Sequence, residues 1–183
     1  MPSRLIDSLA TTDALADVFS DRSLLQAMLD FEAALARAEA KAGVIPSRAA
    51  DAISSAALAE GLDADAIARE GRNSGTISIP LVRALTARVQ AADAGSARFV
   101  HFGATSQDVA DSAMVLTLQR AHTILAADHA RLERTLRELS DRHAFTVMLG
   151  RTLLQPAPPI TFGLKVAGWA AALRRGWRLD RGL

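Results

Sequence analysis

The chain has 183 residues, half of them hydrophobic, no cysteine and a formal net charge of +1; disulfides, thiolate metal sites and cysteine nucleophiles are excluded by inventory. Basic and acidic residues are interspersed, tyrosine is absent and aromatics are few, which gives no footprint for nucleic acid or an anionic membrane surface. No apolar run approaches a membrane span and MPSRLIDSLATTD lacks the apolar core of a signal peptide, so a soluble, cytoplasmic protein is expected.

Ala, Leu, Arg, Glu and Asp dominate and apolar residues recur at intervals of three and four, which predicts an almost entirely α-helical chain with no strand. Ser20 and Asp21 offer N-caps to a helix whose apolar face is Leu24, Met28, Phe31, Leu35 and Ala38, and Gly43 supplies its stop. A second helix is expected over about residues 47–60, ahead of Gly61. A short helical turn over 64–70 then gives way to GRNSGTISIP, read as an irregular connection. Pro80 suits the first turn of the next helix, LVRALTARVQAADA, which ends at Gly95.

From Ser106 to about His143 there is neither proline nor glycine, and Leu118, Ala121, Leu125, Leu132, Leu136, Leu139 and His143 keep helical spacing. At 1.5 Å per residue such a helix is roughly 55 Å long, more than one compact domain of this size needs, so it is expected to pack in a bundle or against other subunits. Gly150 and the prolines of GRTLLQPAPP forbid its continuation, and a last helix is expected to resume near Pro159. RRGWRLDRGL then reads as a truncated or frameshifted end. The expected architecture is all-α: an N-terminal helical domain over 1–103 and the beginning of a long-helix bundle over 104–183.

The segment HFGATSQD, residues 101–108, carries the first candidate chemistry. Gly103 permits a sharp turn, Thr105 or Ser106 can cap the long helix, and Asp108 stands three residues after Thr105, as in a capping box. A cap is the commoner meaning of this spacing. A helix start also exposes unpaired N–H groups and partial positive charge, so hydroxyls and the Gln107 amide beside it can receive a carboxylate. His101 stands just ahead of these groups, where an imidazole could reach a bound acid, although a packed histidine is the plainer reading.

In GRTLLQPAPPITFG, Arg151 is a permanently charged fork suited to a carboxylate, while Thr152 and Gln155 add neutral donors from the same segment; the plainer alternative is a solvated charge beside a helix break. Asn73, Ser74 and Thr76 could supply loop donors, but a simple loop accounts for them. His122, His129 and His143 recur at sevens, and seven residues span about 10 Å, too far for two ligands on one ion, so no metal site is expected. No phosphate loop, dinucleotide fingerprint or Ser-His-Asp pattern is present.

Taken together, HFGATSQDVADSAM resembles the substrate-binding segment of the fumarase/aspartase superfamily of lyases. LADVFSDRSLLQAMLDFEAALARAEAKAGVIP resembles that family's N-terminal region, GTISIPLVRALTARV its first active-site loop and following helix, and GRTLLQPAPPITFGLKVAGW its second shared block. Within the superfamily the wording is most similar to the branch that lactonises 3-carboxy-cis,cis-muconate. Members that eliminate fumarate typically carry a proton-transferring histidine after GRT; here that position is Leu153, which cannot move a proton. The resemblance implies a cofactor-free enzyme of a homotetrameric helical bundle, acting on a small polycarboxylate. Thr105, Ser106, Gln107, Arg151, Thr152 and Gln155 would hold its carboxylates, with His101 as a polar, catalytic member of the site. Family members also contain a mobile GSSxMPxKxN-like loop whose serine is implicated as the base, and this chain has no such sequence. The resemblance therefore implies a catalytically incomplete chain. A lyase acting on a succinyl-type substrate, and a non-catalytic helical assembly module, are the rival expectations.

Overall fold

In the computed structural model residues 9–180 are described, those from 178 onward by backbone only; MPSRLIDS at the N-terminus and RGL at the C-terminus lie outside the described residues. The chain divides into two compact units, 1–121 and 122–183, with the boundary inside the long helix.

The first unit is built from apolar stripes, most of them preceded by a polar cap. Thr12 caps α1 (Asp13–Val18) and the Ser20 hydroxyl accepts from the Ser23 amide at 3.3 Å to start α2 (Asp21–Lys41). Gly43, at φ +75°, turns the chain out of α2 where a left-handed residue is needed. Leu25, Met28 and Leu29 of α2 meet Ala49, Ala50 and Ile53 of α3 (Ser47–Ala56) and Leu81, Leu85 and Val89 of α5 (Ser78–Ala92), all buried in one core.

Two expected boundaries shift. Helix α3 ends at Ala56 rather than near residue 60, because the following loop is held by side chains from elsewhere. Gln26 donates to the Ala57 carbonyl at 3.2 Å and accepts from the Ala59 amide at 2.8 Å, while Arg88 donates to the Leu58 and Glu60 carbonyls. Helix α4 (Ala64–Ser74) absorbs GRNS, expected to be irregular, and closes at Gly75 with φ +72°. Asp63 caps its start, accepting from the Ala66 amide at 2.9 Å.

A 3-10 turn (Ala97–Phe99) leads to the long α6 (Ser106–Arg142), close to the expected span. Its Val109 and Ala113 are fully buried in the first unit's core, which fixes the first turns of the helix.

In the second unit the expectation of no strand fails. Val147–Thr152 (β1) pairs antiparallel with Gln155–Thr161 (β2), with a register irregularity between Met148 and Gly150. Pro156, Pro158 and Pro159 do forbid helix, but their fixed φ and missing N–H are tolerated on a ribbon whose strands each keep an open edge. The last helix, α7, therefore starts at Phe162 rather than near Pro159 and runs to Asp180. It crosses the end of α6 closely: the Gly163 amide donates to the His143 carbonyl at 2.9 Å and the Ser140 hydroxyl donates to the Gly163 carbonyl at 3.0 Å.

Candidate active site

The start of α6 is a completed capping box. The Thr105 amide and hydroxyl both donate to Asp108 Oδ2, at 2.8 and 2.9 Å, and the Asp108 amide reaches back to the Thr105 hydroxyl at 3.4 Å. These bonds, the backbone one foremost, hold the Asp108 carboxyl below the usual carboxylate range, and the nearby His101 adds to the effect. The buried Ser78 hydroxyl at the start of α5 donates to the Ser106 carbonyl at 3.2 Å and ties the two helix starts together. Gln107 is exposed, its amide donating to Asp111 at 2.6 Å.

This geometry sharpens what the cap can do. Its paired donors already grip a carboxylate, but an internal one, so an external acid must displace Asp108 or use the half-buried Ser106 and the Gln107 amide.

His101 sits in the turn just before the cap with φ +57°, a left-handed conformation uncommon outside glycine, and Gly103 follows at φ +70°. Its Nδ1 lies 2.7 Å from Glu32 Oε1. Glu32 projects from α2 into the core and is 1 % exposed, with its second oxygen buried and without a hydrogen-bond partner among the described residues. Burial pushes the Glu32 carboxyl up, the bond and charge of His101 pull against that, and Glu39 pushes further in the same direction as burial. Glu39, two helical turns along the same face, is also raised by burial and also has a buried oxygen without a partner among the described residues. A Cβ added at Gly103 would lie 3.8 Å from Glu39 Oε1, which puts that carboxyl beside the turn.

Neither glutamate was anticipated from the sequence. The signal was present: Glu32 follows Leu25, Met28 and Leu29 by seven, four and three residues, and so stands on the buried stripe of α2.

The second cluster lies on the hairpin. Thr152 stands directly opposite Gln155, and Arg151 opposite Pro156. Strand alternation puts Arg151 on the other face from Thr152 and Gln155, so the three donors do not form one flat fork. All three are exposed, and among the described residues no hydrogen bond or ion pair engages the Arg151 side chain. Leu153 and Leu154 form the two-residue turn at φ +40° and +64°, 91 and 105 % exposed. That turn ordinarily takes Asn-Gly, so two leucines there are strained and bare.

The remaining candidates resolve more simply. Asn73 and Ser74 line an open cleft of about 260 Å³ with Ile79, Pro80 and the Glu70–Arg83 ion pair. The Ser74 hydroxyl donates to the Thr76 carbonyl at 2.8 Å. His122 and His129 both stack on Trp177, with ring centroids 4.8 and 4.5 Å away, and His143 meets the edge of Phe162.

Comparison with known proteins finds a lyase family profile matching residues 8–180. The chain is 49% identical over 173 residues to 3-carboxy-cis,cis-muconate cycloisomerase of Pseudomonas aeruginosa, an alignment covering 94% of this chain and 38% of that protein. It is 46% identical over 150 residues to nitrosuccinate lyase of Streptomyces davaonensis, covering 82% of this chain and 32% of the relative. The crystal structure of 3-carboxy-cis,cis-muconate lactonizing enzyme from Pseudomonas putida superposes with a TM-score of 0.93 at 45% identity, over 98% of this chain and 41% of that one. The chain thus spans about a third to two fifths of the length of these relatives.

Proposed function

We propose, from the premise that this chain belongs to the lyase family of the fumarase/aspartase superfamily, that it carries the carboxylate-holding portion of a cytoplasmic, cofactor-free 3-carboxy-cis,cis-muconate cycloisomerase. The observation that carries this reading is identity near one half along almost the whole chain to a cycloisomerase, with Leu153 where a proton-transferring imidazole would suit elimination of fumarate.

In that reaction a carboxylate oxygen adds across a conjugated double bond to close a lactone, and the adjacent carbon takes a proton. The costly species is the carbanion, whose charge spreads onto a carboxylate. Fixed donors aimed at its oxygens lower that cost without reorganising. Thr105, Ser106 and Gln107 supply such donors at a helix start, and Arg151, Thr152 and Gln155 supply a cation and neutral donors on the hairpin. His101 is the imidazole available to exchange a proton with the bound acid. We place the functional boundary at 103/104, where the cap begins, and expect copies of the chain to complete the site in a homotetramer.

Lactonisation of 3-carboxy-cis,cis-muconate tests the reading directly. The purified 183-residue chain is expected to form no lactone, and to do so once co-expressed with the remaining three fifths of a Pseudomonas cycloisomerase. Arg151→Ala should then abolish the restored activity. Normal turnover by the chain alone would refute its incompleteness, and no lactone from the reconstituted pair would refute the cycloisomerase reading.

The identity to nitrosuccinate lyase favours a second reading, elimination from a succinyl-type substrate. Release of an unsaturated dicarboxylate such as fumarate, in place of lactone, would select it.

A further inference from the structure

The Glu32–His101 contact joins a side chain from the middle of α2 to a turn 69 residues later, and the expected site residues do not account for it. Three features separate it from an ordinary core contact. Glu32 is a carboxyl at 1 % exposure on an otherwise apolar stripe, a placement that is costly unless something is obtained from it. His101 holds φ +57°, and a sparsely populated backbone conformation in a non-glycine residue persists only where surrounding contacts fix it. The imidazole also stands near carboxyls of two helices, Glu32 on α2 at 2.7 Å and Asp108 in the cap of α6, which the nearby His101 helps to hold low.

We propose that Glu32 is a positioning residue: it accepts a hydrogen bond from His101 Nδ1–H, fixes that tautomer, and leaves Nε2 as the nitrogen that meets a bound carboxylic acid beside the Thr105 cap. The ring nitrogen that a histidine uses is set by the bond its other nitrogen makes. Contact through Nδ1 consumes that nitrogen at 2.7 Å and leaves Nε2 for the bound acid. The assignment of His101 to the site rests on the cycloisomerase reading; the lactonisation assay decides that reading, and the tautomer decides this one.

The test uses the full 183-residue chain labelled with ¹⁵N-histidine, with the His101 signals identified by their loss in His101→Gln. Long-range ¹H–¹⁵N spectra, taken above the pH at which the ring is charged, should show His101 Nδ1 as the protonated nitrogen and Nε2 as the bare one. Glu32→Gln keeps an acceptor oxygen and should retain that tautomer. Glu32→Met removes the acceptor, and the Nε2–H form common for histidine in water should become the majority. An Nε2–H tautomer in the wild-type chain, meaning that Glu32 donates its own proton to Nδ1, overturns the proposal. So does an unchanged tautomer in Glu32→Met. If Glu32→Met does not fold, the wild-type and Glu32→Gln spectra alone decide between the two arrangements.

Discussion

Glu32 and Glu39 have carboxyls raised above their ordinary value of 4.5, chiefly by burial. From 4.5 up to the raised values the folded chain binds more protons than the unfolded one. Their stabilising contribution is thus complete below 4.5 and is lost as pH rises through the folded values. Asp93 and Asp108 act in the opposite sense. Both are lowered from 3.8, Asp93 first by the Ser96 hydroxyl and then by Arg48, so their contribution is present above 3.8 and lost as pH falls through the folded values. Urea midpoints measured across this range should fall from mildly acidic towards neutral pH, and Glu32→Gln should flatten the fall. A wild-type midpoint that climbs steadily over the same interval would contradict the role of the buried glutamates. His101→Ala leaves the Glu32 carboxyl buried without its partner and should cost on the order of 3 kcal/mol, more than removal of an exposed contact such as Arg137–Glu133 on α6.

Elements differ in how openly their sequence declares them. Helix α6 is visible in advance because a long run without proline or glycine and with apolar three/four spacing has one sensible outcome, and its Thr105–Asp108 cap is visible for the same reason. The hairpin is not. Its prolines read only as helix breakers, and its turn residues, Leu153 and Leu154, are the opposite of the usual signal, so the strand alternation that separates Arg151 from Thr152 and Gln155 is hidden. Replacing Leu153 and Leu154 by Asn and Gly should relieve the left-handed strain and stabilise the hairpin by about 1 kcal/mol or more. A thermal midpoint unchanged or lowered would show that the leucines hold the turn in some other way. Gly163 makes the reverse case. Alanine in a helix ordinarily gains about 1 kcal/mol over glycine, yet a Cβ here would meet the Ser140 carbonyl oxygen at 2.5 Å and Ala144 Cα and the His143 carbonyl oxygen at 2.8 Å. All three are backbone atoms that cannot turn aside, so sterics should win and Gly163→Ala should destabilise by about 1–3 kcal/mol. Both tryptophans, Trp169 and Trp177, lie on α7, so their fluorescence reports that loss directly.

For the whole molecule, α6 leaves a stripe that one copy does not cover. Met114, Leu118, Leu125 and Leu132 are 54, 51, 43 and 47 % exposed, and their spacing of four, seven and seven residues keeps them on one face over about 27 Å of helix. Completing the burial of half-exposed side chains of this size yields about 1 kcal/mol each. Association itself costs about 4–15 kcal/mol in lost freedom for each copy added, so these four side chains only roughly balance it for a pair, and a stable assembly must bury more of each helix than this stripe. In the proposed homotetramer each long helix would meet more than one neighbour and so bury more than this stripe. Sedimentation of the purified chain at tens of micromolar should show species larger than a monomer, and Leu118→Glu with Leu125→Glu should return it to a monomer of unchanged helix content, because both residues face outward and neither contributes to the core that holds the start of α6. Charges placed on a helix face that stays in water leave association untouched, so a wild-type monomer, or a double variant that still assembles, would place the contact between copies on some other surface and leave the length of α6 without a cause in assembly.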